Sequence, residues 1–249
     1  KRNAWVSEAQ GIVRDWYGKY AADLASDAVP IRPERMCGDL SKHVPDDAIV
    51  IVDTGHAGMW MGGMYDLRTD RQSYMRSAGH LGWAFPAGLG AKCGAPERPV
   101  ITFTGDAGLW YHIGDIETAV RWGINAVTIV NNNGGGNQSK RGFDRVYGGQ
   151  QTEKGRELWT FRKTNFARIA EEYHTLNRSI HRMETNVEPV DDAAVLDEQV
   201  IGHAGLLMVP AAVSRLRSGH GNAGAGASWR LRDAIRGAHF TLPCMDRRH

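Results

Sequence analysis

One stretch restricts the fold of this chain more than any other: Val100 to Gly136, VITFTGDAGLWYHIGDIETAVRWGINAVTIVNNNGGG. It opens on a β-branched apolar run, Val100-Ile101-Thr102-Phe103-Thr104, that ends at Gly105-Asp106. A helical pattern follows, with Ile116, Ala119 and Val120 on one face. A second apolar run, Ala126-Val127-Thr128-Ile129-Val130, ends in three asparagines and three glycines. Short buried strands flanking a helix form a βαβ unit, and a βαβ unit implies a parallel sheet.

The ends of those two strands carry the chemistry. Ligands of open α/β sheets bind outside the carboxyl ends of the strands, where Asp106 and the asparagines fall. A carboxylate, an amide oxygen and neighbouring backbone carbonyls are hard oxygen donors, suited to a magnesium ion that keeps positions for phosphate oxygens. Glycines let the backbone approach an anion, and a following helix start directs N–H groups at it. Taken singly, these residues are ordinary turn formers. Taken together in register, they read as a metal–diphosphate site.

The rest of the first two thirds of the chain repeats that logic. Residues 1–25 place Trp5, Ile12, Val13, Trp16 and Tyr20 at helical spacing among charges, a surface helix that needs a partner for its tryptophan face. Pro33 suits the first turn of a helix running to His43. Ala48-Ile49-Val50-Ile51-Val52 reads as a buried strand leading into a second polar loop, Asp53-Thr54-Gly55-His56-Ala57-Gly58. Arg68 to Arg76 reads as a polar connector. Ala84, Ala87, Gly88 and Ala91 give a helix a small-residue face that can pack close to a sheet. Asn137 to Thr160 is polar, rich in glycine and without clear periodicity, as functional or mobile loops are. Phe166, Ile169, Ala170 and Tyr173 share one face of an amphipathic helix.

Composition excludes several classes. The 249 residues carry a formal net charge of +2, with no basic run interleaved with aromatics, so nucleic acid is not an expected partner. No apolar stretch approaches the roughly 20 residues of a membrane span, and no signal peptide is visible. Cys37, Cys93 and Cys244 are widely spaced, form no CxxC pair or zinc spacing, and suit a reducing cytoplasm.

The Gly-Asp-Ala motif followed at a distance by paired asparagines resembles the fingerprint of the thiamine diphosphate-dependent enzymes. The wider stretch, about Pro30 to Tyr173, is similar to the acetolactate synthase group and its decarboxylase, lyase and carboligase relatives. Gly55, Met59 and Trp60 match the synthases' Gly-Gln-His-Gln-Met-Trp segment, with the histidine displaced by one residue to His56. The resemblance implies an α/β, Rossmann-like open parallel sheet with helices on both faces, the diphosphate-binding (PP) domain of such an enzyme. It implies magnesium held by Asp106, Asn133 and the main-chain carbonyl of Gly135. The third asparagine leaves Asn132 as the alternative to Asn133. Ala107 stands where most members have glycine, a substitution found among the acetolactate synthases. Gly105, Ala107, Gly108 and Gly136 complete the diphosphate loops, and Gly55 and His56 border them. Gly79 matches a glycine whose carbonyl bonds the aminopyrimidine. Leu81 matches the bulky residue wedged beneath the bent cofactor. His56 and His80 are the candidates for proton transfer near the substrate. Phe143, Tyr147 and Trp159 are candidate walls of the substrate pocket, in a segment that closes over the diphosphate.

The implied organisation is a linker helix from a preceding domain (1–27), the thiamine diphosphate and magnesium domain (28–173), and an atypical tail (174–249). Beyond Tyr173 the resemblance stops. No lysine follows Lys163, and six of the ten histidines lie from His174 onward, so the tail reads as frameshifted or divergent. Without the family's last strands the sheet is expected to expose an edge. The implied function is that of a 2-oxo acid carboligase or decarboxylase, acetolactate synthase-like. It would work as a cytoplasmic homodimer or tetramer, with the activating glutamate in the pyrimidine-binding domain of a neighbouring subunit. The chain, opening without Met, then reads as a fragment inactive alone. FAD, an option for a full-length protein of this kind, finds no support in these residues. A decayed, non-catalytic fragment is the competing reading. A dinucleotide-dependent oxidoreductase is disfavoured because Asp53 to Gly58 lacks the G-x-G-x-x-G spacing.

Overall fold

The computed structural model describes residues 2–162, 164–180 and 205–208. Cys244 and most of the atypical tail lie outside the described residues. Four parallel strands form the sheet's body: β1 (Ile49–Val52), β2 (Ser73–Arg76), β3 (Val100–Gly105) and β4 (Val127–Asn131). With β5 (Gly205–Met208) the order is β2-β1-β3-β4-β5. The register runs Val52↔Phe103 and Gly105↔Asn131, so the polar loops after β1, β3 and β4 emerge side by side at one edge.

The three apolar runs became strands because both of their faces are covered. On one face Val50, Val52, Ile101, Phe103, Val127 and Ile129 pack against α2 (Pro33–His43) and α3 (His56–Met64), through Met36, Leu40, Val44, Met61 and Met64. On the other face lie α4 (Ala84–Gly94), α5 (Asp106–Tyr111), α6 (Asp115–Arg121) and α9 (Phe166–Ile180). They bring Phe85, Leu89, Leu109, Ile116 and Phe166 onto Ile49, Ile51 and Val130. The small-residue face of α4 does what its composition allows. Gly88 lies directly on Thr102 of β3, and an added Cβ there would overlap the threonine hydroxyl. The helix-on-both-faces architecture matches the expectation.

Four local expectations are corrected. Arg68–Arg76 is not wholly a connector, because Ser73–Arg76 pairs with β1 as an edge strand. Its half-exposed, polar sequence hides it from any search for apolar runs. Asn137–Thr160 contains two helices, α7 (Asn137–Val146) and α8 (Glu153–Glu157). α7 buries no residue, so its helicity rests on local pairs such as Lys140–Asp144, 2.6 Å apart at i,i+4. α8 is capped by the Thr152 hydroxyl, which accepts from the Gly155 N–H. The single helix expected after Asp106 is two helices, separated at His112–Gly114. The far edge of the sheet is not bare: β5 adds antiparallel to β4, with Val127↔Met208 in register.

α1 (Arg2–Leu24) docks through its C-terminal half. Tyr20 and Leu24 pack on the core, and the Trp16 indole N–H donates to the Gly63 carbonyl at 2.7 Å. Its N-terminal half exposes Trp5, Ile12 and Val13, the face the sequence leaves without a partner. Cys37 is buried in the α2 core and its thiol is pushed up to about 12 by burial and the nearby Glu34, a packing residue and not a nucleophile; Cys93 is exposed.

Candidate cofactor site at the carboxyl ends of β1, β3 and β4

The strand order reverses between β1 and β3, since β2 lies on one side of β1 and β3 on the other. A crevice at the carboxyl ends forms at such a switch point, and the loops holding Asp53 and Asp106 open there. Asp106 follows β3 and is nearly buried. Its Oδ1 accepts the Ala107 N–H at 2.7 Å, and its Oδ2 accepts the N–H groups of Gly134 (2.7 Å) and Gly135 (3.1 Å). The same Gly135 N–H reaches Asn133 Oδ1 at 3.0 Å. The shared donor thus gathers the carboxylate of Asp106, the amide oxygen of Asn133 and the backbone of Gly135. Asn132 turns away, and its amide nitrogen donates to the Thr164 carbonyl at 2.8 Å.

The glycine turn is required by geometry. Gly134 has φ +69°, a region L side chains rarely adopt. A Cβ on Gly135 would stand 2.9 Å from the Trp159 carbonyl oxygen and 3.2 Å from its ring. This closeness comes from a two-way tie to the segment after α8. Gly136 N–H donates to Trp159 O at 2.6 Å, and Phe161 N–H donates to Gly134 O at 2.8 Å.

Burial raises the Asp106 carboxyl above the ordinary aspartate range, and the backbone N–H groups of Ala107, Gly134 and Gly135 counter that rise. Among the described residues no cationic side chain pairs with it. A divalent cation would supply the missing counter-charge. Magnesium takes oxygen donors, commonly one or two carboxylates with phosphate oxygens and water. The donors here fit that pattern: one carboxylate, one amide oxygen and one carbonyl. The Gly135 carbonyl accepts from Asn137 N–H at 3.1 Å and keeps a second lone pair. Among the described residues no cluster of three His, Cys, Asp or Glu side chains offers a competing metal site.

Asp53 is the residue that sequence reasoning did not single out. It follows β1 as Asp106 follows β3, and that parallel was the available signal. Fully buried, it accepts Thr54 N–H at 2.8 Å, Gly82 N–H at 3.0 Å and the Thr104 hydroxyl at 2.6 Å. The last residue of the Gly79–Gly82 loop is thereby fixed to the strand one residue short of Gly105-Asp106. Gly82 holds φ +92°, and a Cβ there would stand 2.8 Å from Tyr111 Cβ. Gly108 packs directly against the Asp53 carboxylate and the Thr104 hydroxyl.

The other expected residues are placed as follows. Gly105 ends β3 and caps α5, and Gly136 precedes α7. Gly55 (φ +76°) precedes α3, its Cα facing the Gln138 side chain. His56 begins α3, half-buried, and lines an open groove of about 430 Å³ with Asn137, Lys140, Arg141, Asp144 and Trp159. Burial and the charge of Arg141 hold its imidazole below the ordinary histidine range. Gly79, His80 and Leu81 lie on an exposed bend, with His80 Nδ1 3.3 Å from the Ser77 hydroxyl and Leu81 39% exposed. Of the three aromatics expected to wall a pocket, only Trp159 lines the groove. Phe143 stacks on Tyr147 (centroids 4.4 Å apart) and covers Gly155.

Residues 53–205 match the family described as thiamine pyrophosphate enzyme, C-terminal TPP binding domain, a match that extends past Tyr173. The chain is 29% identical over 154 residues to a probable acetolactate synthase of Mycobacterium bovis, covering 58% of this chain and 26% of that protein. It is 28% identical over 163 residues to the acetolactate synthase large subunit of Haemophilus influenzae, covering 65% and 28%. A solved Rhodococcus jostii thiamine diphosphate-dependent 4-hydroxybenzoylformate decarboxylase is 28% identical, with a TM-score of 0.49 over 57% of this chain and 26% of that one. The chain spans about a quarter of the length of the curated relatives it matches. With the family match covering more than half of the chain, from the Asp53 loop through the Asp106 and Asn133 loops, the chain belongs to the thiamine pyrophosphate enzymes as an acetolactate synthase-like, C-terminal TPP-binding domain.

Proposed function

We propose that this chain binds the diphosphate and magnesium of thiamine diphosphate for a carboligase or decarboxylase acting on 2-oxo acids. One observation carries the reading: the Asp106 carboxylate and the Asn133 amide oxygen converge on the Gly135 N–H at the carboxyl ends of β3 and β4. Asp106, Asn133 and the Gly135 carbonyl would hold the metal. The engagement of Asn132 with Thr164 supports choosing Asn133. Gly55, His56, Gly105, Ala107, Gly108 and Gly136 would border the diphosphate, and Gly79 and Leu81 the remainder of the cofactor.

When bound, thiamine diphosphate supplies a nucleophilic carbon and an electron sink for bond-breaking beside a carbonyl. The protein's part is orientation and electrostatics. Asp106 is already oriented by three backbone donors, so little rearrangement is needed to meet a cation. Asp53 holds the Gly82 end of the aminopyrimidine loop against the β3 terminus. His56, disfavoured as a cation, is available at the groove as a neutral hydrogen-bonding group.

Among the described residues no glutamate stands in this site, and Glu117 is paired with Arg121 on α6 at 2.9 Å. We therefore assign the activating carboxylate to a pyrimidine-binding domain of a neighbouring subunit, with the active protein a homo-oligomer. The test is calorimetric titration of the folded chain with thiamine diphosphate, with and without magnesium, beside Asp106→Ala. Magnesium-dependent binding lost in the variant is expected. A folded chain that does not bind, or a variant that binds equally well, would overturn the reading.

A further inference from the structure

The groove between the starts of α3 and α7 meets the candidate cofactor site at His56 and carries one charge, that of Arg141, to which the Asp106–Asn133 cluster gives no role. Lys140 lies 2.6 Å from Asp144 and over the Trp159 ring at 5.6 Å, so its charge is already neutralised. Asp144 also accepts from the Gln151 amide. Arg141 has no carboxylate partner among the described residues, and its guanidinium acts electrostatically on His56 across the groove. The remaining lining is neutral: Asn137, the His56 imidazole and the flat wall of Trp159, whose indole N–H is fixed on Gln151 Oε1 at 3.0 Å. An unpaired guanidinium with neutral donors and an aromatic wall is a receptor for a carboxylate or phosphate oxygen pair.

We propose that this groove is a subsite for a second anionic group on the substrate, anchored by Arg141, so that the preferred 2-oxo acid is one with a further carboxylate or phosphate at its far end. The inference rests on the cofactor-domain reading above, which makes His56 of this groove a candidate for proton transfer near the substrate. Asn137 is two residues from Gly135, so the groove opens beside the Asp106–Asn133 cluster. The anion on Arg141 is not the carboxylate that departs. Loss of carbon dioxide breaks the bond between carboxylate and carbonyl carbons, leaves the electron pair on the former carbonyl carbon and removes the negative charge from the carboxylate. A guanidinium on that carboxylate would stabilise the ground state over the transition state and slow the reaction. A distal anion keeps its charge throughout, so Arg141 can bind it without opposing the chemistry.

The test compares 2-oxoglutarate with 2-oxopentanoate, which share chain length and differ in the distal carboxylate. Binding to the whole 249-residue chain is measured calorimetrically at low salt, with and without thiamine diphosphate and magnesium. An exposed charge pair of this kind gives the dicarboxylate about a fivefold tighter Kd, reduced by added salt. Arg141→Met abolishes the preference and Arg141→Lys retains part of it. Equal affinities for the two acids, or a preference that survives in Arg141→Met, would overturn the proposal. Weakened thiamine diphosphate binding in Arg141→Met would also overturn it, by assigning the guanidinium to the cofactor's phosphates while leaving the cofactor reading intact. Failure of the wild type to bind thiamine diphosphate would instead defeat the cofactor reading. The two-acid comparison would still decide the subsite, because protein atoms alone line the groove.

Discussion

Replacing Asp53 tests whether a buried carboxylate holds the two halves of the cofactor site in register. Asp53→Ala removes the acceptor for the Thr54 and Gly82 N–H groups and for the Thr104 hydroxyl. The hydroxyl has a fallback on the Gly105 carbonyl at 3.2 Å, so Gly82 is the principal orphan. A buried donor left without a partner costs about 1–3 kcal/mol. Loss of packed atoms adds to this, and removal of a buried charge offsets part of it. The net expectation is about 3 kcal/mol, or roughly 6–12 °C in Tm at this chain length. Asp53→Asn keeps one oxygen for Gly82 and Thr54, and Thr104 can reorient to donate to Gly105, so it costs about 1 kcal/mol. Thermal unfolding followed by circular dichroism reads the global effect, and amide hydrogen exchange at Gly82 reads the local one. Asp53→Ala unfolding within about 2 °C of the wild type, with Gly82 still protected, would refute the reasoning.

Two further outcomes follow from the same geometry. Gly135→Ala places a Cβ 2.9 Å from the Trp159 carbonyl and 3.2 Å from a ring held by Gln151. Neither neighbour yields easily, so the variant loses roughly 1–3 kcal/mol and its Trp159 indole resonance shifts; an unshifted indole with unchanged Tm would count against the tie. The His56 imidazole is held below the ordinary range first by burial and second by Arg141, so Arg141→Met raises its pKa part of the way back, as an NMR titration would show. Because the folded pKa lies below the unfolded one, the stability tied to neutral His56 is complete above the unfolded value. It is lost as pH falls through the folded value. A pKa that stays put or falls further in the variant would contradict this assignment.

The sequence made β1, β3 and β4 legible because strands covered on both faces read as continuous apolar runs, and their carboxyl ends pointed to the candidate site. β2 was illegible for the opposite reason. SYMR is an edge strand, half exposed, and only its pairing with Ile49–Val52 makes it a strand. α7 and α8 escaped notice because neither turns an apolar face to the core. Asp106, Asn133 and Gly135 came as a set from the resemblance to the thiamine diphosphate-dependent enzymes, and in the structure the Asp106 and Asn133 side-chain oxygens both accept from the Gly135 N–H. Asp53 was passed over because its partners, Gly82 and Thr104, lie 29 and 51 residues away. Arg141 stood out only once α7 was seen to place it in the same groove as His56.

The most direct test of the central claim is to replace magnesium with manganese in the presence of thiamine diphosphate and follow the backbone amides by NMR. Paramagnetic broadening confined first to Ala107, Gly134, Gly135 and Gly136 is the predicted result, abolished in Asp106→Ala. Broadening centred elsewhere, or unchanged in that variant, would contradict a metal–diphosphate site at the ends of β3 and β4.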